Sequence, residues 1–167
     1  MGASVSTDFM NMFANDWFLL SDFADFFCGD IVGEGTERSV YEFRLDPSMV
    51  IKIDRSRQFS NVSEWDVWTN VSHHYPDYAK YLAPCVHISS CGRVMLQMKT
   101  TPVERDKLPE SIPAFFTDYK IQNWGMLEDR VVCHDYANHT FFSNKVGMMS
   151  PEWWSDTYQV VKDEVRT

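Results

Sequence analysis

The run from Asp30 to Arg55, DIVGEGTERSVYEFRLDPSMVIKIDR, constrains the fold more than any other stretch. Its apolar residues Ile31, Val32, Val40, Phe43, Val50 and Ile53 fall into three short groups, divided by a glycine turn and by Asp46–Pro47. That pattern predicts three strands in an antiparallel meander. Gly33 and Gly35 sit at the first turn, where the missing Cβ lets backbone amides approach a phosphate. Val40 follows Gly35 by five positions, and Lys52 ends the apolar run Met49, Val50, Ile51. Hairpin turns often contain such a glycine pair. A glycine-rich hairpin followed by a lysine in the next strand is much rarer.

The chain then changes period. Asn61 to Val71 reads as a helix with Val62, Trp65, Trp68 and Val71 on one side, and Glu64 is the one glutamate in it. Between Tyr78 and Met98, alternation of Leu82, Val86, Ile88, Val94, Leu96 and Met98 around Cys91–Gly92 predicts two more strands. Pro102, Pro109 and Pro113 exclude a long helix before Phe116. Beyond them, Asp118, Lys120 and Asn123 form a DxKxxN spacing on a short polar loop, and Asp135 follows after the turn-like Met126 to Arg130 and the pair Val131, Val132. Two loops joined by a short hairpin bring Asp118, Asn123 and Asp135 to one cleft. An acid beside a lysine, an amide and a second acid is what phosphoryl transfer requires: a group to orient the attacking hydroxyl, a cation for developing charge, and hard oxygen ligands for Mg²⁺. The plain alternative is an Asx-rich turn between strands.

At 167 residues the chain suits one domain or two small lobes sharing a cleft. An aromatic share of 15% supplies the apolar surface that a packed core needs. A net charge of −9 argues against a protein that wraps a nucleic acid, and favours basic protein partners or simple solubility. Cys28, Cys85, Cys91 and Cys133 form no CxxC pair, so a reduced, cytoplasmic chain is expected. His73 and His74 carry no ligand spacing. Apolar runs are too short to span a bilayer, and membrane attachment would require modification of Gly2, which sits in a loose myristoylation pattern with Ser6. Phe9, Met12, Phe13, Trp17 and Leu20 predict an amphipathic N-terminal helix.

GEGTERSVY, VIK, an acidic helix, DxKxxN and DYA, in that order, resemble the eukaryotic-like protein kinases. Gly33, Gly35 and Val40 match three fixed positions of their glycine-rich loop, with Arg38 where the third glycine would stand. The resemblance implies that Lys52 grips ATP phosphates and pairs with a helix glutamate, for which Glu64 is the candidate and Asp66 the substitute. It implies a hinge near Gln97 to Thr100, with Gln97 and Met98 at the adenine. Asp118 would be the catalytic acid, Lys120 its companion, and Asn123 and Asp135 the Mg²⁺ ligands. Phe116 and Thr117 depart from the family's His-Arg, and Ser150–Glu152 is at most a trace of its APE motif.

The implied fold is α+β and kinase-like: an N-terminal helical extension over 1–25, a small lobe over 26–100 with a five-stranded antiparallel sheet and one helix, and a truncated large lobe over 101–167 closed by a helix from Trp153. Such abbreviated chains resemble small viral or phage proteins, which would act in host cytoplasm. The implied activity is ATP-dependent phosphoryl transfer to Ser or Thr of a protein. The alternatives are a pseudokinase that occupies a target protein, supported by the missing glycine and the lost helices, and transfer to a small molecule.

Overall fold

The computed structural model describes residue 22 and residues 24–143 and 147–155. The expected helix from Phe9 to Leu20, the Gly2 site and most of the expected closing helix lie outside these residues. Within them the architecture is α+β. Strands β1 (Cys28–Glu34), β2 (Arg38–Phe43) and β3 (Met49–Asp54) form the expected meander, and β4 (Cys85–Ile88) and β5 (Val94–Met98) complete a five-stranded antiparallel sheet in the order β1-β2-β3-β5-β4. Helix α1 (Ser60–His74) connects β3 to a short helix α2 (Pro76–Ala79), which occupies part of the stretch where the alternation predicts a strand. Pro76 opens α2, where its missing N–H costs nothing.

Register explains which side chains share a face. In β2 and β3, Val40 lies opposite Lys52 and Arg38 opposite Asp54, while Val50 lies opposite Gln97 of β5. Because cross-strand partners and alternate residues point the same way, Arg38, Val40, Val50, Lys52 and Gln97 form one row across the sheet. The helix α1 meets that row differently from the expectation. Its buried positions are Ser60, Asn61, Glu64, Val67 and Val71, with Val62, Trp65 and Trp68 only half-buried. The face is rotated because its first half is polar and finds partners in the sheet: the Asn61 amide donates to the carbonyls of Lys52 and Arg93 at 3.2 and 3.1 Å.

Residues 101–155 contain strands and single 3₁₀ turns, with no α-helix among the described residues. Strands β6 (Thr101–Pro102), β8 (Trp124–Leu127) and β9 (Arg130–Cys133) make a three-stranded sheet, and β7 (Ile112–Pro113) pairs with β10 (Met148–Met149). Met126 and Leu127, expected in a turn, are in β8; the turn itself is Glu128–Asp129, with Glu128 at φ 56°. Trp153 to Ser155 are not helical. Ser150 and Glu152 are exposed, and neither is among the described residues that line the cleft.

One core joins both segments. Val67 and Val71 of α1, Leu82, Cys85 and Met95 pack with Ile112, Phe115, Phe116, Trp124, Cys133 and Tyr136. Backbone bonds fasten the end of β9 to the loop before β4: Ala83 N–H to the Cys133 carbonyl and Cys133 N–H to the Tyr81 carbonyl, both 2.8 Å. The residues after Cys133 are thereby fixed against α1.

Candidate functional site

A cleft of about 930 Å³ opens between the sheet and the hairpin β8–β9. Gly33, Gly35, Val40, Lys52, Gln97, Met98, Lys120, Asn123 and Asp135 all line it; Glu64 lies directly behind Lys52, and Asp118 behind Asn123. Register accounts for the convergence. Trp124 lies opposite Cys133 in the hairpin, and His134 N–H donates to the Asn123 carbonyl at 2.8 Å, so Asn123 and Asp135 flank the same open hairpin end.

Lys52 and Glu64 meet, as the resemblance implies: Lys52 Nζ is 2.8 Å from Glu64 Oε2, with their side chains 3% and 0% exposed. Asp66 is on the exposed side of α1 and takes no part. Lys52 Nζ also donates to the His134 carbonyl at 2.5 Å. The remaining Glu64 oxygen, Oε1, accepts from Arg38 Nη2 at 2.9 Å and from Tyr136 N–H at 3.0 Å. Burial alone would raise the Glu64 pKa, but the charges of Lys52 and Arg38 hold it down at about 2. One carboxylate therefore faces two buried cations.

Arg38 is the residue that sequence reasoning passed over. Its Nη2 also donates to Asp135 Oδ1 at 2.5 Å, so it bridges the helix acid to the cleft acid. Burial works against its charge, yet Glu64 and Asp135 outweigh that and keep it firmly protonated. Its Nη1 is buried without a hydrogen-bond partner, an omission worth about 1–3 kcal/mol for such a donor. Asp135 has 47% of its side chain exposed. Desolvation on its protein side and the like charge of Glu64 push its pKa up, while the Arg38 contact pulls the other way.

Asp118 Oδ2 accepts from Asn123 Nδ2 at 2.9 Å, and Oδ1 accepts from Lys120 N–H at 3.1 Å. The two bonds fix the loop as an Asx turn and also orient the Asn123 amide. With its nitrogen committed to Asp118, Asn123 keeps its oxygen for another partner. Lys120 lies over the Trp154 ring at 5.6 Å. Mg²⁺ fits what is present in a limited way. Asn123 Oδ1 and Asp135 Oδ2 are two hard oxygens, Asp135 Oδ1 is held by Arg38, and the described residues contain no cluster of three or more acidic, His or Cys ligands. That is too few for a cage of protein ligands, but it suits an ion that is held by one or two side chains plus substrate phosphates.

Gln97 to Thr100, the expected hinge, line the cleft, but part of their hydrogen bonding is committed elsewhere. Gln97 is fully buried in β5, its amide donating to the Ala83 carbonyl at 3.4 Å, and the N–H groups of Met98 and Lys99 bond to the carbonyls of Pro84 and Ser48 at 2.9 and 2.8 Å. Those two donors are spent inside the protein and are not available to a base. His134, also unanticipated, closes the cleft floor. Its Nε2 donates to the Gln122 carbonyl at 3.0 Å and its Nδ1 accepts from Thr100 Oγ1 at 2.8 Å, and burial, followed by the charge of Lys52, lowers its pKa to about 4. Tyr136 fills the core beneath Asp135, donating its hydroxyl to the Ala83 carbonyl at 2.8 Å.

Ser63 and His139, 3.0 Å apart, resemble a nucleophile and its base, but the bonds run the wrong way. His139 Nδ1 accepts from Phe141 N–H, so Nε2 carries the proton, and the Ser63 hydroxyl donates to the Ala137 carbonyl. The pair anchors the loop after Asp135 to α1. All four thiols are free, and burial raises the pKa of Cys85 to about 12. No described helix is long and apolar enough to cross a membrane. No protein-family model matches the sequence, and no curated protein matches it significantly.

Proposed function

We propose that the protein binds ATP in the cleft between sheet and hairpin and transfers its terminal phosphoryl group to a Ser or Thr hydroxyl of a protein, on a kinase-like fold. The observation that carries this reading is that Lys52, backed by Glu64, and Asn123, backed by Asp118, line one cleft together with Asp135. A lysine held this rigidly gives a cation already in position for phosphate oxygens. Gly33, Gly35 and Val40 cover the same end of the cleft, and a Cβ added at Gly33 would meet nothing within 4 Å, so this turn has room above it for a ligand.

In this reading Asp118 orients the acceptor hydroxyl and takes its proton, after exchanging its bond to Asn123 or Lys120 for one to the substrate. Lys120 stands by for charge on the transferring group. Asn123 and Asp135 are the residues that would hold Mg²⁺, which when bound supplies charge neutralisation at the phosphates. Labelled ATP and a mixed Ser/Thr peptide pool test the reading. The parent protein should incorporate label, and Asp118→Asn should lose at least about 100-fold of that rate while still binding ATP. Undiminished incorporation in Asp118→Asn refutes the assignment.

A second reading, in which the protein binds nucleotide and a target protein without transfer, is favoured by one contact: Arg38 holds Asp135 Oδ1, which leaves a metal only the other oxygen of that acid. ATP binding by the parent with no label incorporation would select it.

A further inference from the structure

We propose that Arg38 is a phosphate ligand built into the chain, so that the cleft binds a nucleoside triphosphate without a divalent cation; this rests on the nucleotide reading above and concerns what neutralises the phosphates. Three observations meet at this residue. Arg38 lines the cleft with its side chain only 9% exposed, and its Nη1 is a buried donor without a partner. Its Nη2 already spans Glu64 and Asp135, which fixes the guanidinium plane at the end of the cleft where the glycine turn and Lys52 converge. And five cationic side chains, Arg38, Lys52, Lys99, Arg105 and Lys120, are gathered among the described residues lining the cleft of a chain whose net charge is −9, with the lining carboxylates Glu34, Glu37 and Asp135 beside them, Glu64 behind Arg38 and Lys52, and Glu42 at Lys99.

Cations gathered along one cleft favour an anion there, and their spread suits a polyphosphate. Lys99 is turned toward Glu42 at 2.6 Å, so the wall at β5 contributes little free charge. Arg38 and Lys52 share Glu64, which holds both heads on the same side of the sheet. A guanidinium cannot shed its proton and presents two parallel donors, the geometry that phosphate oxygens accept in pairs. In a site that used two metal ions, Asp135 would need both oxygens open to them. Here one is taken by Arg38, which thus supplies permanently, from the protein, part of the charge that a metal would bring. An arriving phosphate competes with Asp135 for Nη2, and the covered donor Nη1, which has no partner, becomes available to it as that contact opens. The third-glycine position is where this residue must stand, since β2 begins there and its register opposite Asp54 aims the side chain beneath the sheet.

The test is calorimetric titration of ATP into the full chain, once in EDTA and once with Mg²⁺. For the parent, dissociation constants within about threefold of each other in the two buffers are expected. Arg38→Gly, which restores the glycine, should weaken binding in EDTA by about tenfold or more and regain it on addition of Mg²⁺, because Asp135 is released to the ion. Asp135→Asn should tighten binding in EDTA, since it removes a competing carboxylate and frees Nη2. A parent that binds ATP only with Mg²⁺, or a folded Arg38→Gly with unchanged affinity in EDTA, overturns the proposal and leaves the nucleotide reading standing. If Arg38→Gly does not fold, Asp135→Asn decides: weaker binding in EDTA overturns the assignment. A parent that binds ATP in neither buffer overturns the nucleotide reading, and this proposal with it.

Discussion

Replacing Glu64 by Gln should harm the protein far more than replacing Lys52 by Met, although the two residues form one ion pair. The asymmetry comes from Arg38. Glu64 is fully buried and neutralises two cations, whereas loss of Lys52 leaves Glu64 still bonded to Arg38 and to Tyr136 N–H. Uncovering buried charges in this way costs about 3–5 kcal/mol. Removing Lys52 sacrifices one charged hydrogen bond and leaves the His134 carbonyl without that donor, about 1–3 kcal/mol. For a chain of this size the Glu64→Gln loss is a drop of roughly 6–20 °C in Tm. Urea unfolding followed by fluorescence of the six tryptophans measures both variants. Acid supplies a second reading. With its pKa depressed from 4.5 to about 2 in the fold, Glu64 contributes stability that is present in full above 4.5 and lost as pH falls from there through about 2. At 1.36 kcal/mol per unit that window spans about 3 kcal/mol, of the same order as the substitution, and Glu64→Gln should abolish it. If Lys52→Met is as destabilising as Glu64→Gln, or if the acid loss persists in Glu64→Gln, the shared-anion argument fails.

Other expectations follow from the same geometry. His134 has its pKa lowered from 6.5 to about 4, so it contributes stability above 6.5 that is lost as pH falls toward 4; His134→Gln should flatten most of the urea-midpoint slope between those values, the rest coming from His139, which burial lowers as well. An unchanged slope would place the acid sensitivity elsewhere. Gly125 holds β8 against the chain that forms the cleft wall: a Cβ there would lie 2.6 Å from Thr100 Oγ1 and 2.7 Å from the Thr101 carbonyl. Gly125→Ala should therefore cost about 1–3 kcal/mol and, under the proposed nucleotide reading, weaken ATP binding by disturbing Thr100, whereas Gly33→Ala, with open space around it, should leave stability within about 0.5 kcal/mol of the parent. Circular dichroism melts and the same ATP titration check the pair, and equal effects of the two substitutions would contradict the packing.

The parts of the fold legible in the sequence are those whose signal repeats. Apolar groups divided by turn residues give β2 and β3, alternation gives β5, and the kinase resemblance, with one glutamate in the next helix, implies the Lys52–Glu64 pair. The 101–155 segment is illegible by the same measure, because β6, β7 and β10 are two residues long and no period can be read from two residues. The face of α1 was misread for a related reason: apolar spacing points to Trp65 and Trp68, while the buried row begins with Asn61 and Glu64, polar residues whose partners lie in other elements. Arg38 is the extreme case. Read locally, an arginine at the end of a hairpin turn is a solvated charge, and nothing within ten residues contradicts that. What buries it is Glu64, 26 positions on, and Asp135, 97 positions on, brought to it by a hairpin that exists because Trp124 pairs with Cys133. The place where the chain departs from the glycine-rich pattern and the acid it binds are thus two halves of one feature. A departure from a motif carries information when the site supplies a partner for it, and here that partner is the acid which the motif alone would assign to a metal.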